Sequence, residues 1–166
     1  YEIFPDDGRP FPRAPLVLDA VWNGRPVLVV DNHLKCCGDG EIDPDDPADE
    51  ERRREEASEL LHEWIAAQAP ARAVVVVGDL NDRLDDPVAD NVFRAFLDRP
   101  QDYRFADWPI AVGPPAAWSW GPGQSHLDHL LVTDELFAAL DAPGGWCRTL
   151  RLDLALPANQ YVALVS

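Results

Sequence analysis

The sequence predicts an α/β fold, because buried strands alternate along it with amphipathic helices. Four consecutive valines at 74–77 are typical of a strand that is buried on both faces. In the segment before them, Ala57, Leu61 and Ile65 recur at helical spacing and form an apolar stripe. With 166 residues and no internal repeat, the chain is predicted to be a single domain over residues 1–166.

The first half of the chain is predicted to hold a strand hairpin followed by a long helix. Asn23-Gly24 is a strong turn signal between two apolar strands. Asp46-Pro47 is typical of a helix start, and the charged run at 49–56 is predicted to be the solvated face of that helix. In order, the predicted elements are a loop or edge at 1–14, strands at 16–22 and 26–30, a loop at 36–47, and a helix from about Pro47 to Ala69 with Ala57, Leu60, Leu61, Trp64 and Ile65 buried.

The second half is predicted to alternate between strands, helices and irregular segments. Asp86-Pro87 repeats the helix-start signal. Trp108, Trp118 and Trp120 lie among Pro and Gly, and they are predicted to pack in the core, with a substrate platform as the alternative. In order, the predicted elements are a strand at 74–77, a helix from 86 that buries Val88, Val92, Phe93, Phe96 and Leu97, an irregular segment at 100–125, a strand at 125–133, a helix from Asp134 to Leu140, and strands at 148–156 and 163–166.

Composition excludes some classes of function. The formal charge is 14 − 30 = −16, which repels nucleic acid at long range and argues against loose, salt-driven DNA binding. The three cysteines form no Cys-x-x-Cys pair, so a zinc ribbon is not favoured. No apolar run approaches membrane-spanning length, so no membrane span is predicted.

Polar residues gather where the buried strands end. Asp79 and Asn81 are two residues apart, so in extended backbone their side chains lie on the same side. A carboxylate beside an amide suits Mg²⁺ or the positioning of a water molecule, although the same residues are also good turn formers. At the end of the preceding strand, the pairing of His33 with Lys35 favours an anion site; the alternative for His33 is a buried ring bonded to a backbone carbonyl.

Three short motifs resemble the endonuclease/exonuclease/phosphatase superfamily, which has the DNase I-like fold. They are Asn-His-Leu-Lys at 32–35, Gly-Asp-Leu-Asn at 78–81 and Ser-His-Leu-Asp-His at 125–129, within a match that runs from about Leu16 to the C-terminus. The resemblance implies a four-layer α/β sandwich, with two mixed β-sheets packed face to face and helices outside. It also implies hydrolysis of phosphate esters with a divalent metal, Mg²⁺ or alternatively Mn²⁺ or Ca²⁺.

The same resemblance implies catalytic roles for four residues. His33 matches the histidine that contacts the scissile phosphate, and Asp79 matches the carboxylate that orients or deprotonates the attacking water. Asn81 matches the amide that steadies the phosphate or the metal, and Asp128 matches an aspartate near the metal and the catalytic histidine. The predicted metal ligands in this chain are therefore Asp79, Asn81 and Asp128.

Neighbouring polar residues receive supporting assignments. Asn32 and Lys35 are predicted to bind the substrate, Lys35 by adding positive charge, with a solvated surface lysine as its alternative. His126 and His129 flank Asp128. Because side chains alternate along a strand, those of these three residues cannot all lie on the same side. Both histidines are therefore predicted to be structural or supporting residues.

The resemblance also bears on how much of the enzyme this chain represents. The family carries an asparagine and a metal-binding glutamate on early strands, and it ends in a Ser-Asp-His motif that would continue past Ser166. The chain is therefore predicted to be the C-terminal portion of a larger domain, inactive alone and in need of the N-terminal half or a partner segment. The predicted substrate is a phosphate ester, with nucleic acid as one candidate, and a secreted or extracytoplasmic location is favoured.

Two other functions are open at this stage. In a calcineurin-like dinuclear metallophosphoesterase, Asp31, His33 and Asp79 would bind two metals, but the later Gly-Asn-His and Gly-His-x-His motifs of that family do not occur. The chain could instead be a non-catalytic binding fragment of the same fold. Retention of His33, Asp79, Asn81 and Asp128 speaks against that alternative.

Overall fold

A five-stranded mixed β-sheet forms the centre of the computed structural model, which describes residues 1–68, 72–120, 124–157 and 160. The strands lie in the order β1-β2-β3-β5-β4. The β2–β3 pair is parallel, and the other neighbours are antiparallel. The strands are β1 (Leu16–Trp22), β2 (Arg25–His33), β3 (Ala73–Asp79), β4 (Tyr103–Phe105) and β5 (Asp128–Thr133).

The hairpin between β1 and β2 confirms the turn prediction. Asn23 and Gly24 have φ angles of 49° and 79°, so both adopt the left-handed conformation that a two-residue hairpin turn requires. The strand β2 is longer than the apolar run at 26–30, because its pairing with β3 continues through Asn32 and His33. The predicted polar cluster therefore lies within the strand itself.

The helices are α1 (Glu50–Gln68), α2 (Arg94–Leu97), α3 (Trp108–Ala111), α4 (Phe137–Leu140) and α5 (Leu152–Ala155). The first begins three residues later than predicted, because Asp49 rather than Asp46 accepts a hydrogen bond from the Arg52 N–H. Its predicted end at Ala69 lies outside the described residues. In the described part of the chain, none of the helices is both long and apolar enough to cross a membrane.

The apolar stripe of α1 confirms the predicted register. Ala57, Leu61 and Ile65 are buried, and Leu60 and Trp64 pack against the core from partly buried positions. The expectation that the charged run 49–56 is solvated is wrong for two of its members.

Glu51 and Arg54 are each 2% exposed. Arg54 Nη2 lies 2.9 Å from the Glu51 carboxylate, and Arg54 Nε donates to Asp82 at 2.8 Å. Burial is possible for these charges because each is paired and hydrogen-bonded. The cluster joins the start of α1 to the loop after β3.

The predicted helix from residue 86 is largely absent. Residues 87–90 form a turn, Val88 is 73% exposed, and only Arg94–Leu97 are helical. The Asn91 side chain accepts from the Phe93 N–H and donates to the Leu84 carbonyl, which competes with helical backbone bonds. The other predicted apolar residues, Val92, Phe93, Phe96 and Leu97, do pack in or against the core.

Three further expectations need correction. The segment 148–156 is not a strand, because α5 occupies its second half and Thr149 Oγ1 donates to the Ala117 carbonyl instead of joining the sheet. The segment predicted to be irregular contains β4. Trp108 and Trp120 are exposed rather than in the core. The strand predicted at 163–166 lies outside the described residues.

The two faces of the sheet have different surroundings. One face packs against α1 and α2 and contributes Leu28, Val30, Val74 and Val76 to the core. The other face is open along a groove of about 390 Å³ between β1 and α4, lined by apolar side chains that include Trp22, Val29 and Val75. We refer to these as the helix face and the open face. The described residues thus form one mixed sheet with its helix layer, as in one half of the predicted sandwich.

Candidate active site

Three of the predicted catalytic residues form a row across neighbouring strands. In the sheet register, His33 of β2 is paired with Asp79 of β3, and Asp79 is paired in turn with Asp128 of β5. His33 Nε2 lies 3.9 Å from Asp79 Oδ2, so both side chains project from the open face. The three motifs therefore converge as the sequence predicts. We refer to these three residues, whose catalytic role is a prediction, as the catalytic row.

Gly78 allows the strands of the row to approach closely. Its φ angle is +130°, and a Cβ built on it would lie 1.9 Å from the Asn32 carbonyl oxygen. Any side chain at this position would therefore push β2 away from β3. Beyond the row, the Leu34 N–H donates to the Asp79 carbonyl at 3.0 Å, and the Leu80 N–H donates to the Leu127 carbonyl at 2.9 Å.

Asn81 lies directly after β3, in a turn that its own bonds stabilise. Its φ angle is +56°, a left-handed conformation that asparagine tolerates better than most residues. Its N–H donates to Asp79 Oδ1 at 3.1 Å, and its Nδ2 donates to the Leu34 carbonyl at 3.1 Å. These bonds hold the amide beside the Asp79 carboxylate and tie the turn to the segment after β2.

The electrostatics of the row suit a divalent cation. Burial and then the negative charge of Asp128 raise the pKa of Asp79, while the Asn81 N–H and His33 partly oppose that shift. Two neighbouring carboxylates and an amide supply hard oxygen ligands of the kind that Mg²⁺ and Ca²⁺ prefer. The residues present therefore fit such an ion, whose charge would offset the repulsion between Asp79 and Asp128.

The two predicted substrate-binding residues do not join the row. Asn32 alternates with His33 along β2, so its side chain is buried on the helix face. From that position Asn32 cannot contact a substrate bound at the open face. Lys35 lies in the loop after β2, where its Nζ donates to the Cys36 carbonyl at 3.0 Å and lies 3.3 Å from Glu50.

Sequence comparison extends the resemblance to most of the chain. The model of the endonuclease/exonuclease/phosphatase family matches residues 1–156. The chain belongs to this family. The family name covers enzymes that act on phosphate esters. No curated protein matches the sequence.

One solved structure with a TM-score of 0.50 supports the fold, and two others resemble the chain more distantly. The human Nocturnin catalytic domain is 17% identical with a TM-score of 0.50, over 73% of this chain and 40% of that one. Truncated Caenorhabditis elegans TDP2 is 18% identical with a TM-score of 0.46, over 72% and 46% of the two chains. A mannosyl-6-phosphatase from Bacteroides thetaiotaomicron is 15% identical with a TM-score of 0.41, over 68% and 39%. The chain thus spans less than half the length of these relatives.

Behind the row lies a buried cluster that centres on Asp107. Asp107 Oδ2 is 3.1 Å from His126 Nε2 and 2.7 Å from His129 Nδ1, and Oδ1 accepts from the Leu130 N–H at 2.8 Å. Burial alone would raise the pKa of Asp107, but the hydrogen bonds from the two histidines lower it to about 2. A buried carboxylate is thereby kept ionised.

The ligand atoms of Asp107, His126 and His129 lie within 4.8 Å of one another, close enough to hold a metal ion. However, each of these atoms already has a partner within the protein. His126 Nδ1 accepts from the Ser119 N–H, and His129 Nε2 faces the Asp82 carbonyl at 2.8 Å. A metal would have to displace these bonds, so we assign the cluster to support of β5 and Asp128. This agrees with the supporting role predicted for both histidines.

A cleft beside Asp128 borders this cluster. It has a volume of about 420 Å³, and its walls include Ser119, Arg148 and Thr149. Sequence analysis did not select Asp107 or this cleft. Asp107 is followed by tryptophan and proline in a segment without clear periodicity, and only its long-range bonds to β5 distinguish it.

Proposed function

We propose that this chain forms part of the active site of a divalent-metal-dependent phosphoesterase, a phosphodiesterase of the nuclease type that uses an activated water molecule. The observation that carries the proposal is the catalytic row, in which His33, Asp79 and Asp128 occupy paired positions on three adjacent strands. Family membership supports the reaction class, and the row supplies the acid, base and oxygen groups that such a reaction needs.

His33 and Asp79 have complementary roles in this proposal. Asp79 orients the attacking water and accepts its proton. The side chain of His33 is 46% exposed at the open face, so its ring can donate a hydrogen bond to a non-bridging phosphate oxygen. His33 Nε2 and Asp79 Oδ2 are 3.9 Å apart, which is close enough for the two groups to act on a phosphate and a water molecule that lie side by side.

Asp79, Asn81 and Asp128 would hold the cation, most simply Mg²⁺, with Mn²⁺ or Ca²⁺ as alternatives. When bound, the ion neutralises negative charge on the phosphate. Three protein groups leave about half of an octahedral coordination shell to other ligands. The proposal therefore expects water, substrate and further side chains of the whole protein to complete the site.

The cleft beside Asp128 is the proposed place for the rest of the substrate. Arg148 brings a positive charge to its wall, and Ser119 and Thr149 bring hydroxyl groups. A net charge of −16 disfavours long-range attraction of duplex DNA, so we expect recognition to depend on local contacts at this cleft and on the cation. A phosphate ester of modest size, or single-stranded nucleic acid, fits these features.

The test compares Asp79→Asn and His33→Ala with the wild-type full-length protein, using a chromogenic phosphodiester and a phosphomonoester in Mg²⁺. Each variant should lose about 10²-fold or more in turnover, because a proton acceptor or a charge-stabilising donor has been removed. EDTA should abolish the wild-type activity, and added Mg²⁺ should restore it. Circular dichroism must show that both variants remain folded.

Asp31→Asn is the matched control, because Asp31 is exposed on the same face of β2, two residues before His33. It should retain activity within about threefold, since the proposed mechanism uses no group at this position. Loss of activity in Asp31→Asn would instead favour a dinuclear site with Asp31 as a ligand. Undiminished turnover in EDTA, or in both catalytic variants, would contradict the proposal.

A further inference from the structure

Two adjacent cysteines lie in an exposed loop shortly after β2. The thiols of Cys36 and Cys37 are free, and Cys37 Sγ donates to Cys36 Sγ across only 2.9 Å. Both residues are exposed to solvent. The pair therefore combines two features of a reactive dithiol, accessibility and contact between the sulfur atoms.

The backbone around the pair is held by a buried side chain. Arg54 Nη1 donates to the carbonyl oxygen of Lys35 and to that of Cys37, each at 2.8 Å. Because these two carbonyls bracket Cys36, the backbone on both sides of this cysteine is restrained. Arg54 is itself fixed by its ion pairs with Glu51 and Asp82.

The next residues add to this constraint. Gly38 has a φ angle of +106°, and a Cβ built on it would lie 2.1 Å from the Glu51 carboxylate. The Gly40 N–H donates to the same carboxylate at 2.8 Å. The loop is thus fastened on both sides of the cysteines, so each thiol is presented to the other at high effective concentration.

A disulfide between Cys36 and Cys37 would be readily reduced. The Cα atoms of adjacent residues are about 3.8 Å apart, below the usual separation of about 4.4–6.8 Å in disulfides. Disulfides with such departures are strained and more readily reduced. Cys37 already has a φ angle of +76°, so the backbone at the pair departs from ordinary extended or helical geometry before any bond forms.

We propose that Cys36 and Cys37 are a reversible redox pair, which closes to a disulfide by exchange with a small-molecule disulfide such as oxidised glutathione. The Cys36 sulfur, as thiolate, attacks one sulfur of the small disulfide and releases one small thiol. Cys37 then loses its proton and attacks the Cys36 sulfur, which breaks the mixed disulfide and releases the second small thiol. Two protein thiols are oxidised, and one small disulfide is reduced to two thiols.

The test uses a Cys147→Ser background, which removes the third cysteine of the chain. The folded protein is incubated with oxidised and reduced glutathione in fixed ratios, quenched with acid and examined by intact mass spectrometry. The expected product has lost two hydrogen masses, carries no glutathione, remains monomeric on a non-reducing gel and is restored by dithiothreitol. Peptide mapping should place the link between residues 36 and 37.

Two comparisons make the result specific. In Cys36→Ser or Cys37→Ser, the remaining thiol should instead keep a glutathione adduct, because no neighbouring thiol can displace it. In urea, the equilibrium constant for closure should fall by about tenfold, because Arg54 no longer holds the loop. A folded protein that keeps both thiols, carries stable adducts, forms covalent dimers or closes equally well in urea would overturn the proposal. None of these readouts depends on phosphoesterase activity.

Discussion

Asp107 lies behind the catalytic row and supports β5, the strand that carries Asp128. It bonds to His126, to His129 and to the backbone of β5 while almost wholly buried. In the segment after β3, Asp86 lies beside Asp82, which is paired with Arg54. The pKa of Asp107 is lowered and the pKa of Asp86 is raised, so the contributions of these two residues to stability should respond oppositely to pH.

The first prediction concerns Asp107→Asn. The pKa of Asp107 in the folded protein is lowered to about 2, so the carboxylate contributes stability above its unfolded pKa and loses that contribution as pH falls toward 2. The variant should be less stable than wild type by about 2 kcal/mol at pH 7, with the difference shrinking below about pH 4. Urea denaturation at several pH values measures this. If the difference in stability stayed constant from pH 7 to pH 3, the charge of Asp107 would not be the source of its contribution to stability.

The second prediction concerns Asp86→Asn. Burial, followed by the hydrogen bond and negative charge of Asp82, raises the pKa of Asp86 to about 7. Because this folded-state pKa is raised, the contribution of Asp86 is full below its unfolded pKa and is lost as pH rises through about 7. The wild type should therefore lose stability relative to Asp86→Asn between about pH 4 and pH 8. The same urea series tests this: a stability difference that does not change with pH would mean that the pKa of Asp86 is unshifted, and the opposite trend would mean that it is lowered.

At the scale of elements, α1 connects the core to the loops of the site. Its apolar stripe covers the helix face, while Glu51 and Arg54 in its first turns reach the loop after β2 and Asp82 after β3. The position of the helix on the sheet therefore affects both loops that border the catalytic row. Loss of the packing of α1 should lower the stability of the protein and, as a consequence, disturb the geometry of the site.

The third prediction is that Leu61→Ala destabilises the protein by about 2–5 kcal/mol, because Leu61 is buried in the middle of the stripe. Glu59→Ala is the control, since Glu59 is exposed on the same helix and should change stability by less than about 0.5 kcal/mol. Thermal and urea denaturation supply the measurement. Equal effects of the two substitutions would mean that the register of α1 on the sheet is wrong.

At the scale of the whole molecule, the main feature is the open face of the sheet, where apolar side chains remain exposed. Leu18 and Trp22 of β1 project from it and are 60% and 51% exposed, beside a groove lined by Val29 and Val75. Exposed apolar surface of this extent is typical of a site that another layer or molecule covers. The expectation that the chain needs a further segment or partner stays a prediction, and it can be tested on the chain itself.

The fourth prediction is that the 166-residue chain self-associates through the open face. Leu18→Lys should lower its apparent mass in light scattering, because it places charge on that face. Val21→Lys is the matched control, since Val21 is 72% exposed on the other face of β1 and should leave association unchanged. Equal effects of the two lysines would show that the open face is not the contact surface. A monodisperse wild-type monomer would contradict the prediction altogether.

The sequence by itself determined the features that local chemistry encodes. The hairpin follows from a turn that Asn23-Gly24 can form, the register of α1 follows from apolar periodicity, and the position of β3 follows from its run of valines. His33, Asp79 and Asp128 were identifiable because each lies in a short family motif at one end of an apolar strand, His33 and Asp79 at its last residue and Asp128 at its first. Their paired positions in the sheet agree with that prediction.

Only the tertiary structure decided the features that depend on distant partners. Arg54 and Asp82 are 28 residues apart and Asp107 and His129 are 22 apart, so no local pattern reveals that these charges are buried together. The helix after residue 86 is short because the Asn91 side chain bonds to the backbone around it, and segment 148–156 leaves the sheet although its alternation resembles a strand. In each case a long-range or side-chain contact outweighs a weak local preference, because packing and hydrogen bonding contribute more free energy than propensity does.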